Sequence, residues 1–210
     1  MITEKEQAGI EFIAKADGDF ARALTLISPI PPRTRPAGFE HLTRIIIEQQ
    51  VSLASAAAIW RRMINGIIPF TEKRLLEFNE EDLRGMGLSR QKAIYCRALA
   101  DHITSGKLSF DALNALSNDQ VADALTAVKG IGRWTAEIYM ISCLQRQDIW
   151  PAGDVALKIA LQHLKGLENR PSVDEMDILA EPLRPYRTLA ARILWRYYAD
   201  VVQVPKSEKN

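Results

Sequence analysis

Two glycines in Lys129-Gly130-Ile131-Gly132 separate one apolar-periodic stretch, Val121, Leu125 and Val128, from another, Trp134, Ile138, Ile141 and Cys143 or Leu144. Periodicity of this kind marks helices with one buried face, so the chain must reverse between two helices within a few residues. Glycine allows a left-handed backbone and close approach of a ligand. Ile131 between them is expected to insert into the groove between the helices and anchor the turn. Backbone N–H groups then face outward at the positive end of the helix that begins near Gly132, where an anion fits. The same residues also suit a glycine-rich helix C-cap followed by a new helix, a junction common in helical proteins.

A short helix later stands a lone carboxylate, Asp154, ahead of the apolar run Val155, Leu157, Ile159 and Leu161. An N-cap is one reading of that position, since aspartate accepts from the first free amides of a helix. Taken together, the glycine turn forms a helix-hairpin-helix, a shape that holds one phosphate of a nucleic-acid backbone without reading sequence.

The remainder reads as helices. Glu4 to Ala16 and Asp19 to Ile27 carry amphipathic patterns, and Ser28 to Pro36 holds four prolines that forbid helix and make a stiff linker. Phe39 to Gln49 and Leu53 to Ile64 are apolar helices that meet at a polar Gln49-Gln50-Val51-Ser52 corner. Shorter helices follow at Thr71 to Phe78 and Glu80 to Arg84. A second glycine turn, Gly85-Met86-Gly87, suits either a plain junction capped by Ser89, the favoured reading, or a second hairpin that touches DNA. Ser89 to Thr104 is a long helix whose Arg90, Lys92 and Arg97 form a solvated face. Helices at Phe110 to Leu116 and Asn118 to Val128 lead into the hairpin; beyond Asp154 come a helix to Leu164, one from Val173 to Leu183, and Tyr186 to Tyr198 with Trp195. Val201 to Asn210 reads as a frayed polar tail. No stretch alternates long enough for a strand, which makes the fold all-α.

Composition narrows the functional classes. Hydrophobic residues at 47% and charged residues at 25% suit a globular protein, and no apolar run approaches the roughly 20 residues of a membrane helix. The N-terminus lacks the basic start and apolar core of a signal peptide, so a cytoplasmic protein is expected. Cys96 and Cys143 sit inside helical patterns and define neither a disulfide framework nor a metal site, and His41, His102 and His163 lack zinc spacing. The net charge of +1 weighs against a nucleic-acid binder, although a hairpin that uses backbone amides needs fewer basic side chains.

Leu125-x-x-Val-Lys-Gly-Ile-Gly-Arg-Trp-Thr-Ala followed by Pro151-Ala-Gly-Asp-Val-Ala-Leu-Lys resembles the helix-hairpin-helix DNA glycosylase superfamily, above all the bacterial 3-methyladenine DNA glycosylases of the second type. The resemblance runs from about Phe39 to Tyr198. It implies two helical subdomains with a DNA-binding cleft between them, residues 1–37 with 147–210 and residues 38–146, folding as one cooperative unit. It further implies a monomer that acts on duplex DNA near the nucleoid, flips out alkylated purines such as 3-methyladenine, and hydrolyses their glycosidic bonds.

In that family Asp154 corresponds to the essential aspartate, which stabilises the charge developing on the sugar. Trp134 and Trp195 correspond to base-pocket walls, with Ile138 and Tyr139 beside them. A pocket tyrosine of the family is replaced here by Ile138, a departure that bears on substrate range. Lys129, Gly130, Ile131, Gly132, Arg133, Thr135, Gln49, Gln50 and Ser52 correspond to DNA contacts. Gln50 would fill the gap left by the extruded base, where relatives often carry leucine. Trp134 stands where strand-cleaving relatives place a nucleophilic lysine, which implies a monofunctional enzyme that leaves an abasic site. No cofactor is expected and no iron-sulfur cluster, since nothing after Cys143 could ligate one. A sodium or potassium ion at the hairpin carbonyls near Val128 and Gly130 is compatible with the resemblance. Excision of uracil, mismatched thymine or a deaminated purine, and a non-catalytic DNA-binding module, are the competing readings.

Overall fold

The protein is described by a computed structural model covering residues 3–203. Among these residues every regular element is a helix and no strand occurs. In order the helices are α1 (Glu4–Ala16), α2 (Gly18–Leu26), α3 (Phe39–Glu48), α4 (Leu53–Gly66), α5 (Glu72–Leu76), α6 (Glu80–Gly85), α7 (Arg90–Thr104), α8 (Phe110–Leu113), α9 (Asn118–Thr126), α10 (Arg133–Ser142), α11 (Val155–Lys165), α12 (Val173–Ala180) and α13 (Arg187–Tyr197). None is long and apolar enough to cross a membrane. The chain divides into two compact units, Met1–Arg33 with Arg146–Asn210, and Thr34–Gln145.

Helix boundaries follow local chemistry. Thr3, Asn79, Ser117 and Ser172 each close a capping box, satisfying two backbone donors that the first helical turn would otherwise leave open. Thr71 and Ser89 cap α5 and α7 as their positions in the sequence suggest. Gly166 ends α11 in the left-handed conformation.

In the terminal unit α1, α2, α11 and α13 pack around Ile13, Phe20, Leu157, Leu161, Leu164, Leu183, Ile193 and Leu194. Trp150, almost fully buried, donates its indole N–H to the Met176 carbonyl at 3.0 Å, which fixes the chain just before Asp154. Arg187 grips Asp148 through Nε to Oδ1 at 2.7 Å and Nη2 to Oδ2 at 3.0 Å, a two-pronged pair on the same approach. After α13 the chain continues as a wide helical turn, Tyr198–Val202, whose Val201 and Val202 pack on this core. The tail expected from Val201 therefore starts later: two adjacent valines are apolar enough to bury. The rest of that expectation, residues 204–210, lies outside the described residues.

The other unit is built on α3, whose Leu42, Ile45, Ile46 and Ile47 are wholly or almost wholly buried and which packs against α4, α7 and α10. Phe70 sits between Phe39 and Trp60, with ring centroids 5.5 and 5.0 Å away. The expected solvated face of α7 is corrected in part. Lys92 donates to the carbonyls of Ile47 and Gln49 at 2.7 and 2.6 Å, and Arg97 donates to those of Leu76 and Phe78. Both cations cap the ends of neighbouring helices, where the dipole and open carbonyls favour positive charge.

Tyr139, 0% exposed, packs on Phe110, and its hydroxyl accepts the Gly38 N–H at 2.8 Å. Gly38 precedes α3 and has no capping side chain of its own. Burial pushes the phenol well above the usual tyrosine range. Replacing Tyr139 with Phe leaves that amide without its acceptor, and urea denaturation is expected to show a loss of about 1–2 kcal/mol.

Candidate nucleic-acid interface and active site

Of the two hairpin glycines only Gly130 takes a left-handed backbone, with φ at 93°. A Cβ there would also overlap the ring of Tyr95, a residue of α7 whose hydroxyl is hydrogen-bonded by Gln91. Gly132 departs from the expectation for a turn glycine: its φ is −94°, and an added Cβ would meet nothing within 4 Å. Its role is vacancy. It occupies the N-cap of α10 without supplying a capping side chain. Ile131 is 4% exposed, in keeping with a turn anchored by its apolar residue.

The polar corner after α3 is wired into this hairpin. Gln49 donates its side-chain amide to the Gly130 carbonyl at 3.2 Å and to the Thr135 hydroxyl at 2.8 Å. Thr135 is 2% exposed. Thr135, expected at the DNA surface, is instead buried in the hairpin, while Gln49 is half-buried and braces it. Gln50, the next residue, is exposed and left-handed at φ 53°, a conformation that costs a glutamine energy and turns the chain outward. Ser52 is exposed and caps α4. Lys129 and Arg133 are exposed around the turn, with Arg133 Nε paired to Glu137 at 2.8 Å. Trp134 and Ile138 are half-buried on α10. Tyr139, expected in the base pocket, is a core residue, because its hydroxyl is spent on Gly38 and its ring has no exposed surface.

The second glycine turn is a helix junction. Gly87 has φ at 104°, Arg62 donates to the Met86 carbonyl at 2.7 Å, and Ser89 caps the helix beyond.

In the terminal unit, Asp154 caps α11: Oδ1 accepts the Leu157 N–H at 3.0 Å. The same oxygen accepts the indole N–H of Trp195 at 3.2 Å. Two donors on one oxygen fix the plane of the carboxylate, and the aromatic that does so is half-buried rather than core. Trp150, four residues before Asp154 and almost fully buried, supports this segment, and no motif in the sequence marks it.

Residues 43–185 match the HhH-GPD superfamily base excision DNA repair protein family, and the chain belongs to it. DNA-3-methyladenine glycosylase 1 of Schizosaccharomyces pombe is 30% identical over 93% of this chain and 89% of its own length. The alkylbase DNA glycosidase-like protein mag2 of the same yeast is 29% identical over 94% and 93%. Among solved structures, S. pombe 3-methyladenine DNA glycosylase Mag1 in complex with abasic DNA superposes with a TM-score of 0.82 at 29% identity, covering 90% of this chain and 95% of that one. A Bacillus halodurans DNA-3-methyladenine glycosidase gives 0.79 at 30% identity, covering 90% and 88%. The family resemblance drawn from the hairpin and the Pro-Ala-Gly-Asp segment is thereby borne out.

Gly132→Asp separates folding from binding. The new carboxylate supplies the missing N-cap, so thermal stability is expected to hold or rise. It also places negative charge where a phosphate would sit, and fluorescence anisotropy should show affinity for damaged and undamaged duplexes falling together by about ten- to a hundredfold, the scale of one charged hydrogen bond. Equal affinity for both proteins would remove the anchor role.

Proposed function

We propose that this chain is a monofunctional DNA glycosylase of base excision repair that hydrolyses the N-glycosidic bond of alkylated purines, 3-methyladenine foremost, as a monomer acting on the duplex DNA of the nucleoid. The observation that carries the reading is the doubly held carboxylate of Asp154, bound by an α11 amide and the Trp195 indole within a chain of this family. The yeast and bacterial relatives named as 3-methyladenine glycosylases support the substrate class.

The glycine hairpin at the start of α10, where Gly132 offers no capping side chain, receives one backbone phosphate, and the backbone at Gln50 presents a side chain to the gap left when a base is extruded. Extrusion costs a few kcal/mol, least for a damaged base. Trp134 and Trp195 offer electron-rich faces, which favour a cationic base by about 0.5–2 kcal/mol. As the glycosidic bond lengthens, positive charge grows on the sugar; the Asp154 carboxylate stabilises it and orients the water that adds to C1′. An alkylated base that already carries positive charge leaves as a neutral molecule, so no general acid is required.

The cation expected near Val128 and Gly130 would meet neutral oxygens only. The Val128 carbonyl already accepts the Ile131 N–H at 3.0 Å and the Gly130 carbonyl accepts Gln49, and each keeps a second lone pair. That donor set fits a monovalent ion. Replacing potassium with tetramethylammonium at constant ionic strength is expected to weaken duplex binding several-fold, and unchanged affinity would dismiss the ion.

Base release from methylated duplex DNA tests the main reading. Wild type should liberate 3-methyladenine, and Asp154→Asn should be slower by at least about 100-fold with duplex binding retained. Borohydride added during turnover should trap no protein–DNA adduct, since Trp134 replaces the Schiff-base lysine. Excision by Asp154→Asn at the wild-type rate, or a trapped adduct, would overturn the assignments.

A further inference from the structure

The glycine hairpin is made of residues poorly able to hold a shape by themselves. Glycine has more backbone freedom to lose than any other residue, and Gly130 is fixed at φ 93°. Three contacts narrow that freedom. Ile131, 4% exposed, anchors the turn from within, and Gln49 holds the Gly130 carbonyl at 3.2 Å. The third is the ring of Tyr95. A Cβ built on Gly130 would lie 2.0 Å from Tyr95 Cγ and 2.3 and 2.4 Å from Cδ1 and Cδ2, so the glycine lies against the face of the ring with no room between. Tyr95 belongs to α7, and Lys92, one turn earlier on the same helix face, donates to the Gln49 carbonyl at 2.6 Å. α7 thus reaches the hairpin twice, directly through a ring and indirectly through Gln49. At the far end of that ring Gln91 donates to the Tyr95 hydroxyl.

We propose that Tyr95 is a positioning residue for the phosphate anchor, a flat platform that holds Gly130 in its left-handed conformation before DNA arrives. The inference rests on the reading of the hairpin as that anchor. A loop that must be ordered on binding loses affinity to the cost of ordering it, and a loop already held does not. Tyr95 needs no contact with phosphate; it acts through the backbone it abuts. L side chains at position 130 are excluded both by the backbone angle and by the ring, and glycine alone meets both conditions. Because phosphate contacts carry no sequence information, the effect falls alike on damaged and undamaged duplexes. It falls on binding rather than on bond cleavage.

Duplex affinity by fluorescence anisotropy, and single-turnover release of 3-methyladenine across enzyme concentrations, test this. The proteins compared are wild type, Tyr95→Phe, Tyr95→Leu, Gly132→Asp and the variant carrying both Tyr95→Leu and Gly132→Asp, at a temperature where circular dichroism shows each folded. Leucine keeps apolar volume and loses the flat face; phenylalanine keeps the face and loses only the hydroxyl. Tyr95→Leu is expected to weaken binding to both duplexes by about three- to tenfold, the scale of coupling between residues in contact. The half-saturating enzyme concentration should rise with it while the saturating rate holds, and Tyr95→Phe should bind like wild type. In the Gly132→Asp background the leucine change should weaken binding by less than about twofold, because the anchor it supports is already disabled. Tyr95→Met, an adaptable side chain, takes its place should Tyr95→Leu not fold. Wild-type affinity in Tyr95→Leu, an equal loss in Tyr95→Phe, a lower saturating rate at unchanged half-saturation, losses that multiply in the double variant, or failure of both the leucine and methionine variants to fold would each overturn the proposal. Wild-type affinity in Gly132→Asp would overturn the anchor reading and this proposal with it. A wild type that binds duplex but releases no base would overturn the glycosylase reading alone, and the anisotropy cycle would still decide on Tyr95.

Discussion

The ammonium of Lys92 governs the geometry of the central unit. It is drawn into a partly buried position where burial pulls its pKa below the usual lysine value, and it binds the Ile47 carbonyl in the last turn of α3 together with the carbonyl of Gln49. That contact ends α3 at a defined residue. Gln49 is then placed to brace the hairpin through Gly130 and Thr135, and Gln50 is forced outward in a left-handed conformation. Lys92 thus meets the chain at the first of two successive glutamines with different surroundings, one half-buried against the hairpin and one exposed.

Local signals in the sequence were legible because they are satisfied locally. Thr71, Ser89 and Asp154 cap the helices that follow them, and the proline-rich stretch is non-helical. The glycine turn joins two helices where the apolar period breaks. Partners distant in the chain were not legible. Nothing near Lys92 or Arg97 says that their targets are carbonyls of other helices, and a basic residue on a long helix reads as solvated by default. Tyr139 and Thr135 failed for a related reason: adjacency to a motif places a residue on the right helix but does not say which face it occupies. The two hairpin glycines divide the two uses of a missing side chain, freedom of the backbone at Gly130 and empty space at Gly132, and the letter alone does not distinguish them.

Asp154 shows that a structural and a functional reading need not compete. Capping α11 is what orients the carboxylate, and the indole of Trp195 completes the hold. Because asparagine caps a helix nearly as well as aspartate, removal of the charge at this position leaves the scaffold intact. On the proposed reading the fold holds the carboxylate by Oδ1, while the chemistry draws on its charge.

On the proposed reading, the N-cap at Gly132, which has no capping side chain, would also bear on how the molecule travels along DNA. Amides carry no net charge, so a phosphate held by them displaces fewer counterions than one held by lysine, and affinity falls less steeply as salt rises. With a net charge of only +1, the chain projects little long-range attraction toward a polyanion. Undamaged duplex would hold such a protein briefly, and its dwell time at any step would be set by the extruded base rather than by the backbone.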